Sequence, residues 1–167
     1  MRKRLIISAT ITISAFSYHV SATVSAGFSP GGTALDLVLT FIRGADTTID
    51  IAAYDLTSVP VAQSLSDTTE HGVAVRLVAD EKKSCGLWSG VNVRINSMFS
   101  IMHNKFIIAD DNRIETGSFN FTSSAEKRNT ENAVVISGEP GIYSQYQTKF
   151  KRLWNESVPV TCKNYNY

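Results

Sequence analysis

The chain has 167 residues, 43% hydrophobic and 10% aromatic, so it can bury one ordinary hydrophobic core and is too short for two. Its 16 basic and 15 acidic residues give a formal net charge of +1, which excludes a strong positive field over the whole surface. Any binding of nucleic acid must therefore come from a local patch.

The first 26 residues have the order of a secretory signal peptide. Three cations at residues 2–4 precede an apolar stretch from residue 5 to 18, and small residues follow at 21–26. We expect cleavage after Ala26, with Ala22 as the rival site, and export to the periplasm or the medium. A buried N-terminal helix is the alternative. The apolar stretch is too short for a comfortable membrane span, so no stable membrane association is expected.

Residues 27–167 are predicted to form one domain, without a repeat or a linker. Export would remove three cations and no acid, which leaves slightly more acidic than basic residues. In an oxidising compartment Cys85 and Cys162 could pair, although two free thiols fit the sequence equally well. Neither lies in a Cys-x-x-Cys motif, so we expect no zinc site and assign no metal.

The predicted elements alternate between helices and strands. After a loop at residues 27–32, helical spacing of apolar residues, with start and stop signals, predicts helices at residues 33–45, 58–71 and 141–155. Short apolar runs predict strands at residues 48–54, 73–78, 91–95, 105–109, 114–117 and 132–136. This order predicts an α/β fold, with a mixed β-sheet flanked by helices on both faces.

Residues 102–110 carry the most informative side chains. Read as a strand, the segment alternates its side chains between two faces, so His103 and Lys105 point one way while Phe106 and Ile108 point the other way, into the core. An imidazole beside an ammonium suits a phosphate bound next to a nucleophile. The same alternation puts Asp110 on the opposite face, beside a turn, where we interpret it as structural.

A second segment, residues 117–122, repeats this pattern. Read as a strand, it presents Ser118 and Asn120 on one face and Phe119 and Phe121 on the other. Hydroxyl and amide groups are neutral hydrogen-bond donors to phosphate oxygens. If the two strands are neighbours, four polar groups meet at one place over an aromatic underside.

The spacing His-x-Lys-x4-Asp that begins at His103, followed by Gly-Ser-x-Asn at residues 117–120, resembles the signature of the phospholipase D superfamily. Residues 101–135 as a whole are similar to its small bacterial endonucleases, which are exported and resist EDTA. The resemblance implies a phospholipase D-like α-β-α sandwich and metal-independent phosphodiester hydrolysis without a cofactor. It implies a phosphohistidine intermediate, with the phosphate held by Lys105, Ser118 and Asn120.

The resemblance also implies a role for Glu131, which would accept a hydrogen bond from His103 and orient its ring. A surface glutamate ahead of a strand is the alternative. The mechanism requires a second histidine as acid and base, but the chain has only His19, in the predicted signal peptide, and His71, at a predicted helix end. A single motif therefore predicts a symmetric homodimer whose two His103 side chains face each other.

Further contacts with a polyanion are possible at several basic residues, for which solvated surface charge is the alternative. These residues are Lys82, Lys83, Arg94, Lys127 and Arg128. Trp88 is a candidate for stacking on a base, and Trp154 is assigned to the core. The ten residues 81–90 replace a connecting helix of the relatives, and with two glycines they are predicted not to form one.

The leading function is thus a non-specific endonuclease acting on DNA or RNA. A phospholipase D-type lipid phosphodiesterase is one alternative, because the same residues cleave any phosphodiester. A non-catalytic module that binds phosphate or nucleic acid is the other. The sequence leaves the preferences for DNA or RNA, and for single or double strands, open.

Overall fold

The computed structural model describes residues 21–80 and 90–160 of the chain. Several predictions fall outside these residues. They concern most of the signal peptide with His19, the possible Cys85–Cys162 disulfide, the residues Lys82, Lys83 and Trp88, and nearly all of the short connection 81–90.

The three predicted helices and the six strands predicted from apolar runs are present in the described part of the chain, with their ends shifted by a few residues, whereas residues 118–122 do not form the strand predicted there. The helices are α1 (Thr33–Arg43), α2 (Val59–Glu70), α3 (Ser123–Lys127) and α4 (Pro140–Asn155). The strands are β1 (Thr23–Ser29), β2 (Thr48–Ala53), β3 (Ala74–Asp80), β4 (Asn92–Asn96), β5 (Lys105–Ala109), β6 (Arg113–Gly117), β7 (Glu131–Ser137) and β8 (Val158–Pro159). The sequence patterns do not predict β1, α3 and β8.

These strands form one sheet in the order β1-β7-β6-β5-β2-β3-β4-β8. β3 pairs in parallel with β2 and β4, and the other pairings are antiparallel. The predicted mixed sheet is therefore confirmed. β2 is buried along nearly its whole length, as expected for a central strand covered on both faces, and the one charged residue in it, Asp50, forms a 2.7 Å ion pair with Arg76.

Helices cover both faces of the sheet, as predicted. The larger core cluster lies on one face and joins the sheet to α1, α2 and α3. α1 contributes Ala34, Val38, Phe41 and Ile42 to it, at the spacing of one helical face. The smaller cluster lies on the other face, where Phe150 and Leu153 of α4 pack against Phe106 and Ile108 of β5.

β1 corrects the prediction of a loop at residues 27–29, while the signal peptide stays a prediction. Residues 23–26 were predicted to belong to the signal peptide and residues 27–29 to a loop, yet together they pair antiparallel with β7. Most side chains of β1 are exposed, including Val24 at 67% and Phe28 at 61%. A strand without a buried face leaves no alternating pattern, and its position is fixed by backbone pairing with residues far along the chain.

Several strand ends meet at one edge of the sheet, called the site edge here. β2 ends there at Ala53, opposite Lys105 at the start of β5. β6 ends there at Gly117, and β7 begins close by at Glu131, opposite the last residue of β1. The far edge lies at the other end of β2, about 17 Å of strand away.

Candidate active site

His103 and Lys105 lie together at the site edge. Lys105 begins β5, while His103 precedes the strand in extended chain and is exposed. The Lys105 Nζ atom is 3.2 Å and 3.3 Å from the two ring nitrogens of His103 and donates to the His103 carbonyl at 3.0 Å. His103 is therefore not part of the strand, but the predicted sharing of one face holds.

The backbone on either side of His103 is fixed by two strands of the sheet. The Met102 N–H donates to the buried carboxylate of Asp80, at the end of β3, over 2.8 Å. The Asn104 carbonyl accepts from the Tyr54 N–H, just after β2, over 3.0 Å. With both neighbours bonded, the main chain holds the imidazole at the site edge.

The charge of Lys105 is tuned by its surroundings. Burial lowers the pKa of its ammonium below the ordinary 10.5, and the nearby Glu131 carboxylate acts in the opposite direction and raises it. Glu131 is therefore a negative charge near the ammonium and favours its protonated form. A phosphate diester would supply such a charge.

Tyr54 is a site residue that the sequence patterns did not single out. Its ring centroid is 4.7 Å from that of His103, with the planes tilted by 57°, and the Lys105 Nζ atom is 5.6 Å from the same ring centroid. The aromatic ring thus forms one wall of the site and contacts both polar side chains. The only sequence signal is its place directly after a buried strand.

Ser118 follows the end of β6 and faces solvent. Its N–H donates to the Asn132 carbonyl at 3.1 Å, and its Oγ accepts from the Asn132 N–H at 3.0 Å. The hydroxyl proton remains available for a phosphate oxygen. The preceding Gly117 permits this closeness, because a Cβ at that position would overlap the Asn132 carbonyl.

Residues 118–122 form a loop and not the predicted strand, because β6 ends at Gly117. The predicted alternation survives in the loop: Phe119 and Phe121 are 1% exposed, and Asn120 between them is partly buried. The Phe121 carbonyl accepts from the N–H groups of Thr57 and Ser58, which holds the loop on the start of α2. The Asn120 Oδ1 atom is buried without a protein partner.

Glu131 starts β7 at the site edge, where its charge acts on Lys105. Its Oε1 atom accepts a hydrogen bond from the Asn129 Nδ2 atom at 3.0 Å. The predicted hydrogen bond from His103 is not among the contacts of Glu131 in this structure, so that role stays a prediction.

Asp110 lies at the far edge, away from His103, in a turn with a φ of 54°. Its carboxylate accepts from the backbone N–H groups of Asp46, Thr47 and Thr48 and forms a 2.8 Å ion pair with Arg113. Partial burial raises the pKa of Asp110, but the hydrogen bonds from Arg113, Thr47 and Thr48 outweigh it and lower the pKa to about 2. The position is that of a turn and cross-strand partner, as the alternation indicates.

His71 also lies at the far edge. It ends α2 before β3, whose residue Ala74 pairs with Thr48 at the start of β2. Its Nδ1 atom bonds to the Asp67 carbonyl at 2.6 Å. A full strand length separates it from His103, so His71 cannot reach a phosphate held by His103 of the same chain.

Of the basic residues considered for polyanion binding, Arg94 is engaged elsewhere. Its guanidinium lies 4.5 Å from the ring of Trp154 and donates to the Trp154 carbonyl at 2.9 Å. Trp154 itself is partly buried and packs against Phe150. Lys127 and Arg128 are exposed at the end of α3.

A cleft of about 410 Å³ opens beside His103 and Lys105, between β5, β6 and α4. Its lining includes His103, Lys105, Thr116, Gln145, Tyr146 and Lys149. Lys149 adds a cation that the sequence patterns did not single out, because α4 was read for its apolar face. The side chains that line the cleft are mainly polar and basic, which suits an anionic ligand.

Within residues 21–80 and 90–160, no group of three or more histidine, cysteine, aspartate or glutamate side chains is arranged to hold a metal ion. No helix in these residues combines the length and the apolar character needed to cross a membrane.

Comparison with known proteins gives concordant matches. The family described as "Cardiolipin synthase, PLD-like domain" matches residues 38–154. A phospholipase D of Rickettsia prowazekii is 32% identical over 78% of this chain and 68% of its own length, and a mitochondrial cardiolipin hydrolase of Chlamydomonas reinhardtii is 29% identical over 77% and 60%. The crystal structure of Nuc, a phospholipase D family member from Salmonella typhimurium, is 37% identical, covers 84% of this chain and 99% of its own, and superposes with a TM-score of 0.80.

Proposed function

We propose that this chain, which belongs to the phospholipase D superfamily of phosphodiesterases, is an endonuclease for DNA or RNA. In this proposal the reaction uses no metal ion, and a second copy of the chain completes the site. The observation that carries it is the contact of Lys105 with His103 at a polar, basic cleft, with His71 at the far edge of the sheet.

In the first step, a ring nitrogen of His103 attacks phosphorus. A phosphorus–nitrogen bond forms, and the bond from phosphorus to the leaving oxygen breaks. The protonated His103 of a second copy gives its proton to that oxygen. The ammonium of Lys105 stabilises the charge on the equatorial oxygens, and the Ser118 hydroxyl and the Asn120 amide donate hydrogen bonds to them.

In the second step, water attacks the phosphohistidine. Its proton passes to the now neutral His103 of the second copy, the phosphorus–nitrogen bond breaks, and the phosphate end of the product leaves. Both histidines return to their starting protonation states. Tyr54 keeps the attacking ring in place, since its contact with His103 restricts rotation of the imidazole.

A lipid phosphodiesterase is the second candidate. Met98, Phe99 and Ile101 are 68%, 41% and 52% exposed just before His103, and exposed apolar side chains beside a phosphodiesterase site suit a lipid surface. Two of the relatives carry the names phospholipase D and cardiolipin hydrolase. The mainly polar lining of the cleft favours nucleic acid instead.

Incubation of the purified protein with plasmid DNA in excess EDTA tests this proposal. We expect cleavage that is lost in His103→Ala and retained in the far-edge control His71→Ala. A requirement for added magnesium would contradict the metal-free reaction. Turnover of phosphatidylcholine or cardiolipin but not of DNA would assign the lipid function, and binding without turnover of either would assign a binding module.

A further inference from the structure

We propose that Phe99 and Lys149 form a nucleotide subsite beside the catalytic pair, in which the phenyl ring stacks on an unpaired base and the lysine contacts the adjoining phosphate. This subsite makes single-stranded nucleic acid the preferred substrate. The inference rests on the proposed nuclease function and adds its substrate class.

The first observation is the pairing of these two side chains across elements. Phe99 lies in the loop between β4 and β5, and Lys149 lies on α4. The Lys149 Nζ atom is 5.5 Å from the centroid of the Phe99 ring. A phenyl ring that is 41% exposed beside an ammonium presents the two groups that a nucleotide needs, a surface for the base and a cation for the phosphate.

The second observation is the continuity of this pair with the catalytic groups. Lys149 lines the same cleft as His103 and Lys105. Phe99 precedes His103 by four residues, and even a fully extended chain of that length spans only about 14 Å. A strand whose scissile phosphate lies on Lys105 would therefore pass close to Lys149 and Phe99.

The third observation is the charge along this path. The cleft lining carries the cations of Lys105 and Lys149, whereas no carboxylate contributes to it. Because the chain as a whole is nearly neutral, this local pair of cations defines where an anionic backbone is held. A neutral lipid tail would gain nothing from a lysine placed over the ring.

Stacking on Phe99 requires a base that is free of its partner. In a duplex both faces of a base are already stacked, and unpairing costs a few kcal/mol. Single strands present their bases without this cost, so kcat/KM for a single-stranded oligonucleotide should exceed that for the same sequence in a duplex. A variant without the Phe99 ring should show a smaller difference in kcat/KM between the two substrates.

The test compares two single-stranded substrates in excess EDTA: an oligodeoxynucleotide and an abasic oligomer with the same sugar-phosphate backbone. We expect Phe99→Leu to lower kcat/KM on the base-bearing strand by about 5- to 150-fold, the range for loss of one stacked base. On the abasic strand, kcat/KM of Phe99→Leu should equal that of the wild type. This result would also show that the variant is folded. Phe99→Tyr keeps an aromatic ring and should retain activity.

Lys149→Gln should weaken the binding of both substrates. It should also lower the dependence of KM on salt, since one phosphate contact is lost. Met98→Ala is the matched control, because Met98 is exposed in the same loop but has no ring; we expect no change.

Failure of the subsite and failure of the nuclease function give different results. Wild-type protein that cleaves neither strand would refute the nuclease. Wild-type cleavage with Phe99→Leu unchanged on the base-bearing strand, or equally impaired on both strands, would refute the subsite alone. A different outcome is that the wild type sediments with phosphatidylglycerol vesicles and that Met98→Ala and Phe99→Leu abolish this binding equally. That result would show that the loop binds a lipid surface, and it would also overturn the subsite.

Discussion

The ammonium of Lys105 and the imidazole of His103 are within 3.3 Å of each other, at an edge where each has a separate task. The imidazole must be neutral to attack phosphorus, and the lysine must be charged to stabilise the oxygens. Burial of Lys105 favours its neutral form, and Glu131 opposes that loss of charge. The reaction therefore depends on the balance between these two effects.

Glu131→Gln tests this balance through the pH profile. Without the carboxylate, Lys105 loses its proton at lower pH, so the alkaline limb of kcat/KM should move to lower pH than in the wild type. Glu70→Gln removes a carboxylate at the exposed end of α2 and is the control. Alkaline limbs that coincide in Glu131→Gln and wild type would contradict the coupling. The profile separates this effect from any loss of rate through misorientation of His103.

Glu115 on β6 is a second ionisable residue with a measurable consequence. It is 1% exposed, and burial raises its pKa from 4.5 to about 8. The folded state therefore keeps a proton that the unfolded state releases above about pH 4.5, so the free energy of unfolding should fall as pH rises from 4.5 to 8.

Glu115→Gln removes this titration. We expect it to have a higher melting temperature than the wild type at pH 8, with the difference shrinking toward pH 4.5. Melting temperatures measured by circular dichroism across this range provide the check. Parallel curves for the two proteins would mean that Glu115 does not bind its proton more tightly in the folded state.

The sequence predicted that His103 and Lys105 lie side by side, as the structure has them, but not the residues around them. His103 and Lys105 are close in the chain, so a local pattern contains their relation. Tyr54, just after β2, contacts the His103 ring, and Lys149 on the last helix lines the cleft. Their contribution depends on the pairing of β2 with β5 and the packing of α4, which no local spacing encodes.

At the scale of elements, β5 connects the candidate active site at the site edge to the turn at the far edge. It starts at Lys105 in the site and leads to Asp110, which ties the far turn to the start of β2. A strand anchored at both ends fixes the direction of the catalytic pair. The motif therefore has Lys105 in the candidate site at one end of β5 and the structural Asp110 at the other end.

Asp110→Asn tests the structural role of Asp110 in the far-edge turn. Asparagine tolerates the positive φ but lacks the charge that Arg113 and the backbone N–H groups bind, so we expect a loss of about 1 to 3 kcal/mol in the free energy of unfolding at pH 7. Since the pKa of Asp110 is lowered to about 2, its contribution is present above about pH 4 and lost as pH falls toward 2. Denaturant unfolding at pH 7 and pH 2.5 measures both; kcat per folded molecule should be unchanged, and a loss of kcat alone would contradict this role.

β1 bears on the predicted export. If the first residues are a signal peptide, cleavage after Ala26 would remove four of the seven residues that pair with β7, whereas cleavage after Ala22 keeps the strand whole. We therefore predict Thr23 as the mature N-terminus. The intact mass of the exported protein decides between the two sites, and a chain beginning at Gly27 would contradict the prediction.

Elements with a long buried face were predicted from sequence, and elements that are short or mostly exposed were not. α1 and β2 carry regular apolar patterns because they face the core. β1 faces solvent along most of its length, and β8 and α3 are too short for a period to show. The loop at residues 118–122 alternates like a strand because its two phenylalanines are buried, although its backbone is not paired along a neighbour.

At the scale of the whole molecule, the described residues of one chain place one histidine, His103, at the site, whereas the proposed reaction needs two. The site edge holds His103 with its supporting groups, and His71 is a strand length away. The mixed sheet with helices on both faces follows from the order of elements in the sequence, but the relation between two copies does not. In the proposed reaction, a second copy brings its own site edge to face the first.

Mixing wild type with His103→Ala tests this account most directly. After subunit exchange at equal concentrations, cleavage of plasmid DNA is followed in excess EDTA. If each site uses His103 from both copies, mixed dimers are inactive and random pairing leaves about half of the wild-type activity, falling further as the variant is added in excess. Wild-type activity that is unchanged by any excess of an exchanging His103→Ala would show that each chain carries a complete site.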